Sequence, residues 1–381
     1  MEKKSLRIGF VGAGAIHFGR GTLPWAHATR LEKMGQINVL AIVDPDTKLS
    51  DSILKAKLSS DQTKQFYQDC KLFTHFKDLI ALKPDAVFIG IPPVYRGSLD
   101  NGHDIELQFV RAGIHVFVEK PLSVVPPEKF DQYKEEIQRA SNENNVIVSV
   151  GYMFRYHDAI IKMKELIKEH GKKVMAFNAR YYYAYSDGVN KYWYNQNLSG
   201  GPIVEQATHL CDLGRYIVGD INLDTVHTIM LRDNDPSGAG CLSHLPHDGE
   251  EDIPPGQKLP RVTLSHWRFQ DGAVGTLMHS IAIPGSRYEA TVDVQLDGME
   301  LSLIRPYEDE CILRVRDIKS GDPDKDVDYT FRGNDSYYNE LCTFVKAVKS
   351  GDKSCIKSSY EDASKTYLFT WKIRRMGEQN N

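Results

Sequence analysis

Leu6 to Ile16 reads LRIGFVGAGAI, and this stretch decides the fold. Leu6 to Val11 is a short apolar run with the length and composition of a buried strand. Gly12-Ala13-Gly14 follows at once, and Ala15 and Ile16 open the next helix. In a G-x-G turn after a strand, the first glycine permits the tight bend. The second lets the backbone approach a pyrophosphate, and the helix offers its free amides to phosphate. The fingerprint's third glycine, which serves close helix-to-strand packing, is replaced by His17. Ile37 to Val43, INVLAIV, is the second strand and ends in Asp44. A carboxylate there accepts hydrogen bonds from the adenosine ribose and repels a 2′-phosphate, so NAD is favoured over NADP. The same residue also reads as a cap for the helix that begins near Asp46. Pro24 interrupts the long interval from Gly14 to Asp44, so an irregular turn should precede a helix near Ala26 to Met34.

The alternation continues through strand Ala86 to Gly90, helix Asp104 to Ala112, strand His115 to Val118, helix Pro127 to Asn142 and strand Val146 to Val150. This pattern specifies a doubly wound parallel sheet over residues 1–150, a dinucleotide-binding Rossmann domain. Ile91 and Pro92 leave the carboxyl edge of their strand, where such sheets hold ligands. At the next strand's edge the sequence is HVFVEKPLS, His115 to Ser123. Glu119 and Lys120 are therefore candidate cofactor contacts, and Lys120 is suited to stand beside a nicotinamide and a substrate oxygen. The competing reading is a strand end with two solvated charges. The loop Val94 to Gly102 is long, and its purpose is not legible.

After Gly151 the period changes. Lys173 to Tyr185, Arg261 to Phe269, Ala273 to Ile283, Tyr288 to Leu296, Glu300 to Ile304 and Cys311 to Asp317 alternate with period two. They specify an open, mostly antiparallel sheet with one covered face, in an α+β domain over 151–381. Helices at Ser336 to Lys349 and Tyr360 to Arg375 close the chain, and they can pack back on the first domain. Arg232 to Pro260 is a long loop, a lid or a subunit contact. The one-sided sheet points to a homo-oligomer, dimer or tetramer.

Composition narrows the function. At 381 residues one ordinary core is exceeded, and a formal charge of −4 offers no basic field for nucleic acid. No run reaches the ~20 apolar residues of a membrane span. The start, MEKKSLRIGFVGAGAI, reads as a strand rather than a signal peptide, and the scattered cysteines fit reduced thiols. A cytoplasmic location is expected. No metal site is indicated: His244, His247 and Asp248 share a loop that fixes none of them.

Ser199 to Gly219 reads SGGPIVEQATHLCDLGRYIVG, with Pro202 to Gly219 as one helix. Glu205 and His209 are four apart and share a face, with Asp212 and Tyr216 nearby. A carboxylate one turn from an imidazole fixes its orientation, and histidine is the usual general base near neutrality. The bland reading is a surface ion pair. With GFVGAGAI, EKPLS, GYMFRY (Gly151 to Tyr156) and this GG-x3-acid-x3-His-x2-Asp helix, the whole chain resembles the Gfo/Idh/MocA family of dinucleotide-dependent oxidoreductases. The resemblance implies that Lys120 and His209 are catalytic and that Glu205 stands where the family has aspartate. It also implies oxidation of a secondary alcohol of a sugar, anhydrosugar or cyclitol, or the reverse. In that reading His209 takes the hydroxyl proton, Lys120 holds the substrate oxygen and Glu205 orients the pair. Arg155 contacts substrate, closes the cleft or forms an interdomain ion pair, and Trp193, with Tyr181 to Tyr183 nearby, stacks on a sugar ring or joins the core. Two rivals share the scaffold: a glycoside-cleaving enzyme with transient oxidation by bound NAD, and a non-catalytic sugar or dinucleotide sensor.

Overall fold

A computed structural model describes residues 5–20, 25–183, 191–245, 250–285, 287–322 and 324–379. The chain divides into two compact units, 1–156 with 335–364, and 157–334 with 365–381. The first unit thus ends six residues later than the 1–150 reading and takes back a segment from near the carboxyl terminus.

The first unit holds a six-stranded parallel sheet: β1 (Leu6–Val11), β2 (Ile37–Val43), β3 (Lys71–Phe73), β4 (Ala86–Ile89), β5 (His115–Val118) and β6 (Val148–Val150). The order is β3-β2-β1-β4-β5-β6, so the winding reverses between β1 and β4. That reversal opens the ligand crevice of such sheets at the carboxyl ends of these two strands. Phe10, Phe88 and Phe117 form a buried aromatic row. The helix Ser336–Ser350 supplies Phe344, which meets both Phe88 and Phe117 at 5.6 Å, with Leu341 and Ala347 in the same core. Without it this apolar face would lie open, which is why the unit reclaims the segment. The helix after the glycine turn is a single turn, Ala15–Phe18, and the next runs His27–Met34; Pro24 lies outside the described residues.

The second unit holds an eight-stranded sheet: β7 (Val174–Tyr182), β8 (Ile221–Leu231), β9 (Val262–Phe269), β10 (Val274–Ser280), β11 (Glu289–Leu296), β12 (Met299–Ile304), β13 (Glu310–Asp317) and β14 (Val327–Arg332). Its order is β14-β13-β12-β11-β7-β10-β9-β8, and every pairing is antiparallel except β7 with β10. Helices Asp158–His170 and Thr208–Ile217 cover one face. On the other, Ile229, Leu264 and Met278 are register neighbours across β8, β9 and β10, with 68%, 49% and 38% exposure.

One expectation fails locally. Residues 202–219 do not form one helix but two, Gly201–Glu205 and Thr208–Ile217. Gln206 and Ala207 both donate their amides to the Pro202 carbonyl, which breaks the regular ladder. The Gln206 side chain turns to His279 on β10, whose Nε2 lies 2.5 Å from Oε1. Glu205 and His209 therefore lie on either side of a break rather than on one helical face.

Candidate active site

The glycine turn after β1 is shaped by backbone needs. Gly12 has φ +104°, and a Cβ there would fall 2.9 Å from Ile91 Cγ2 and 3.1 Å from the Gly90 carbonyl oxygen. A Cβ on Gly14 would meet nothing within 4 Å, so the turn faces open space. Gly14 caps the Ala15–Phe18 turn with no side chain, leaving first-turn amides that have no partner within the helix. Asp44 Oδ2 accepts from the Ala13 amide at 2.7 Å and Oδ1 from the Asp46 amide at 2.8 Å. The cap of helix Thr47–Ser59 is Asp46, not Asp44. Asp44 instead ties the end of β2 to the glycine turn, and a carboxylate has lone pairs left for a further donor. This open, amide-lined cradle with an acid beside it fits a dinucleotide.

His17 explains the missing third glycine. Its ring is fully buried against Phe10, and Nδ1 lies 2.7 Å from the Gly12 carbonyl oxygen. Burial and neighbouring His27 hold its pKa down to about 3, so the ring is neutral and Nδ1–H donates to that carbonyl. The space comes from the end of β4: a Cβ on Gly90 would stand 2.6 Å from His17 Nε2. Gly90, just past the end of β4, leaves room for the ring, and the imidazole braces the glycine turn.

At the end of β5, Glu119 is buried rather than solvated, which overturns the two-solvated-charges reading for this residue. Its Oε1 lies 3.0 Å from His27 Nε2, and Oε2 accepts the Lys120 amide at 3.2 Å. A Cβ on Gly151 would come within 2.9 Å of both carboxylate oxygens, so the bare glycine leaves room for the buried carboxylate. Lys120 is half-buried in the turn that follows, and Ile91 and Pro92 are half-buried after β4. Arg155 is buried and pairs with Asp362 at 2.5 Å, also donating to the Lys357 carbonyl. Both partners belong to the first unit, so this is not an interdomain pair.

In the second unit Glu205 and His209 are both buried. The His209 ring meets Tyr307 edge-on, centroids 6.4 Å apart and planes at 80°. Tyr307 lies 4.8 Å from Tyr288, which stacks on Tyr183 at 4.1 Å with planes 7° apart. Tyr288 and Tyr307, with the exposed Arg287 and Glu308, line an open hollow of about 360 Å³. The sequence singled out Tyr181 to Tyr183 but missed Tyr288 and Tyr307, which stand just before β11 and after β12 and gather only when the strands pair. Trp193 is half-buried and packs on Tyr192 at 4.6 Å. Asp212 accepts from Thr366 at 2.9 Å, and Thr366 accepts from Arg215 at 2.8 Å, a buried structural network.

The described part of the 232–260 loop is tied down. Arg261, fully buried, bonds both Glu250 oxygens and the Gly238 and Leu259 carbonyls. Gln257 accepts from Asn195, and the Gly256 carbonyl accepts from Gln196. His244 Nε2 lies 3.2 Å from the Ile281 carbonyl oxygen, while His247 and Asp248 fall outside the described residues. Among the described residues no group of His, Cys, Asp and Glu is arranged to hold a metal, and no helix is long and apolar enough to cross a membrane.

Comparison with known proteins gives the chain its kinship. The family model "Oxidoreductase family, NAD-binding Rossmann fold" (GFO_IDH_MocA) matches residues 6–152, and an oxidoreductase C-terminal domain matches 155–299. An uncharacterised protein of Schizosaccharomyces pombe is 36% identical, over 94% of this chain and 88% of its own. The myo-inositol 2-dehydrogenase of Thermotoga maritima is 25% identical, over 98% of this chain and 97% of its own. Levoglucosan dehydrogenase, solved in complex with NADH and levoglucosan, superposes with TM-score 0.73 at 16% identity, covering 99% of this chain and 98% of that one. The turn after β1, the Glu119-Lys120-Pro121 edge and the paired models over both units lead to one conclusion: the chain belongs to the Gfo/Idh/MocA family of oxidoreductases.

Proposed function

We propose that the protein is a dehydrogenase that oxidises a secondary alcohol of a sugar, anhydrosugar or cyclitol, or reduces the matching ketone. Gly12, Gly14, Ala15 and Ile16 hold the dinucleotide pyrophosphate, Ile91 and Pro92 flank the dinucleotide, and Asp44 takes the adenosine ribose, which favours NAD over NADP. The bound nicotinamide supplies the hydride acceptor. His209 accepts the hydroxyl proton, and Lys120 donates a hydrogen bond to the substrate oxygen and stabilises negative charge developing there. Glu205 orients the acid–base group. Glu119 acts by holding Lys120 in place through its amide. Tyr307 and Tyr288 offer the stacking faces that the sequence reading gave to Trp193. The carrying observation is the tyrosine-walled hollow whose Tyr307 ring lies against His209. The exposed Ile229, Leu264 and Met278 row supports a homo-oligomer formed through that sheet face. All six cysteines are free, which supports a cytoplasmic location.

The test is turnover with NAD, then NADP, against myo-inositol, levoglucosan and common monosaccharides, followed by NADH absorbance. NADH should accumulate with at least one cyclic polyol, and Lys120→Ala should lower kcat by about a thousandfold at unchanged melting temperature. Wild-type kcat in that variant, or glycoside cleavage without NADH accumulation, would overturn the reading.

A further inference from the structure

The segment 94–102, whose purpose was not legible in the sequence, delivers one fully buried guanidinium to the first unit's interior. Arg96 follows the short turn Pro93–Tyr95, and its donors are engaged on every side. Nε donates to the Ile91 carbonyl at 3.2 Å. Nη1 donates to Glu106 Oε1 at 3.0 Å and to the Leu122 carbonyl at 3.1 Å. Nη2 donates to the Pro121 carbonyl at 2.9 Å and the Glu119 carbonyl at 2.5 Å. Glu106, equally buried, accepts the Tyr133 hydroxyl at 2.8 Å through its second oxygen. The loop is pressed against the same turn: Gly97 has φ +76°, and a Cβ there would lie 2.2 Å from the Leu122 carbonyl oxygen.

A buried ion pair is weak evidence for stability, since apolar residues of equal volume often do as well. The choice of partners is more telling. Three of the four carbonyls come from residues 119, 121 and 122, which bracket Lys120, and the fourth from Ile91 on the neighbouring strand end. Guanidinium is a planar fork with five donors; an ammonium is a point charge with three. We propose that Arg96 is a positioning residue for Lys120, locking the Glu119–Leu122 turn and the Ile91 turn into one rigid edge. Glu106, held by Tyr133, keeps the fork oriented, and His27 grips the turn through Glu119.

This inference rests on Lys120 being the catalytic cation, so its test has one arm that needs no substrate. Arg96→Lys keeps the charge facing Glu106 but lacks the fork. The double variant Arg96→Met with Glu106→Gln removes both charges, so that no lone charge is buried should the single variant fail to fold. In either folded variant, amide hydrogen exchange across 119–125 should rise about tenfold or more, with exchange in β1 and β2 unchanged. NADH affinity, read by fluorescence titration, should stay within about twofold. With whichever cyclic polyol the wild type oxidises, kcat should fall about tenfold while KM changes by less than about threefold. Wild-type exchange across 119–125 in a folded variant overturns the clamp, and so does wild-type kcat. If the wild type oxidises none of the sugars tested, the proposed function fails, and the exchange arm still decides the clamp.

Discussion

A neutral imidazole sealed into an apolar interior links stability to pH. His17 and His279 are held down to about 3 chiefly by burial, and His157 to about 4 for the same reason. The unfolded chain takes up these protons near the ordinary value of about 6.5, which the folded chain refuses until far lower pH. Their stabilisation is therefore complete above about 6.5 and is lost as pH falls towards 3–4, at up to ~1.4 kcal/mol per pH unit for each ring. The melting temperature should drop steadily between pH 7 and pH 5, and His279→Gln should flatten that slope; a flat wild-type profile would contradict the assignment. At this scale the shape of the glycine turn was legible, since Gly12 takes a positive φ and Asp44 ties the end of β2 to it. His17 and Arg96 were not, because their partners are Gly90 and the 119–122 carbonyls, which only the fold brings near. Arg155 pairs with Asp362, a partner that only the fold brings near.

Among the elements, the central strands of the first unit were read closely, while β8 was not read as a strand. β5 matches its expected limits, and β4 ends one residue early. β3 is only three residues long, too short to show a period, while β14 does alternate from Val327 to Arg332 but is a short edge strand with no fully buried position. The helix break at Gln206–Ala207 was hidden in the sequence, where the His279 that Gln206 meets lies on a distant strand. The 232–260 loop lacks periodicity because side chains, not a ladder, hold its described part, Arg261 reaching Gly238, Glu250 and Leu259. Arg261→Met leaves Glu250 buried without its counter-charge, which should cost about 3–5 kcal/mol in urea unfolding. It should also open the loop to trypsin at Lys258. Unchanged stability together with unchanged cleavage would show that the loop is held by other means.

At the scale of the whole molecule, the large sheet leaves an apolar stripe in solvent. Ile229, Leu264 and Met278 are contiguous across three strands, and such patches on soluble proteins usually mark contacts. A second copy of the chain is the expected occupant. Light scattering should report a multiple of the monomer mass for the wild type. Leu264→Glu with Met278→Glu should shift it to the monomer, since both side chains point away from the protein's own core; an unchanged mass would exclude this face. The two-part architecture was legible in the switch from helix–strand alternation to period-two runs. Its boundaries were not, since the return of residues 335–364 depends on an aromatic contact that local pattern does not carry.

That return has a consequence for biosynthesis. Phe344 and Leu341 complete the interior around Phe88 and Phe117. A ribosome therefore exposes the nucleotide-binding half long before it releases the piece that seals it. Until residues 335–364 have left the ribosome, a greasy flank of that half lacks its cover, and chaperones have their longest opportunity to engage it there.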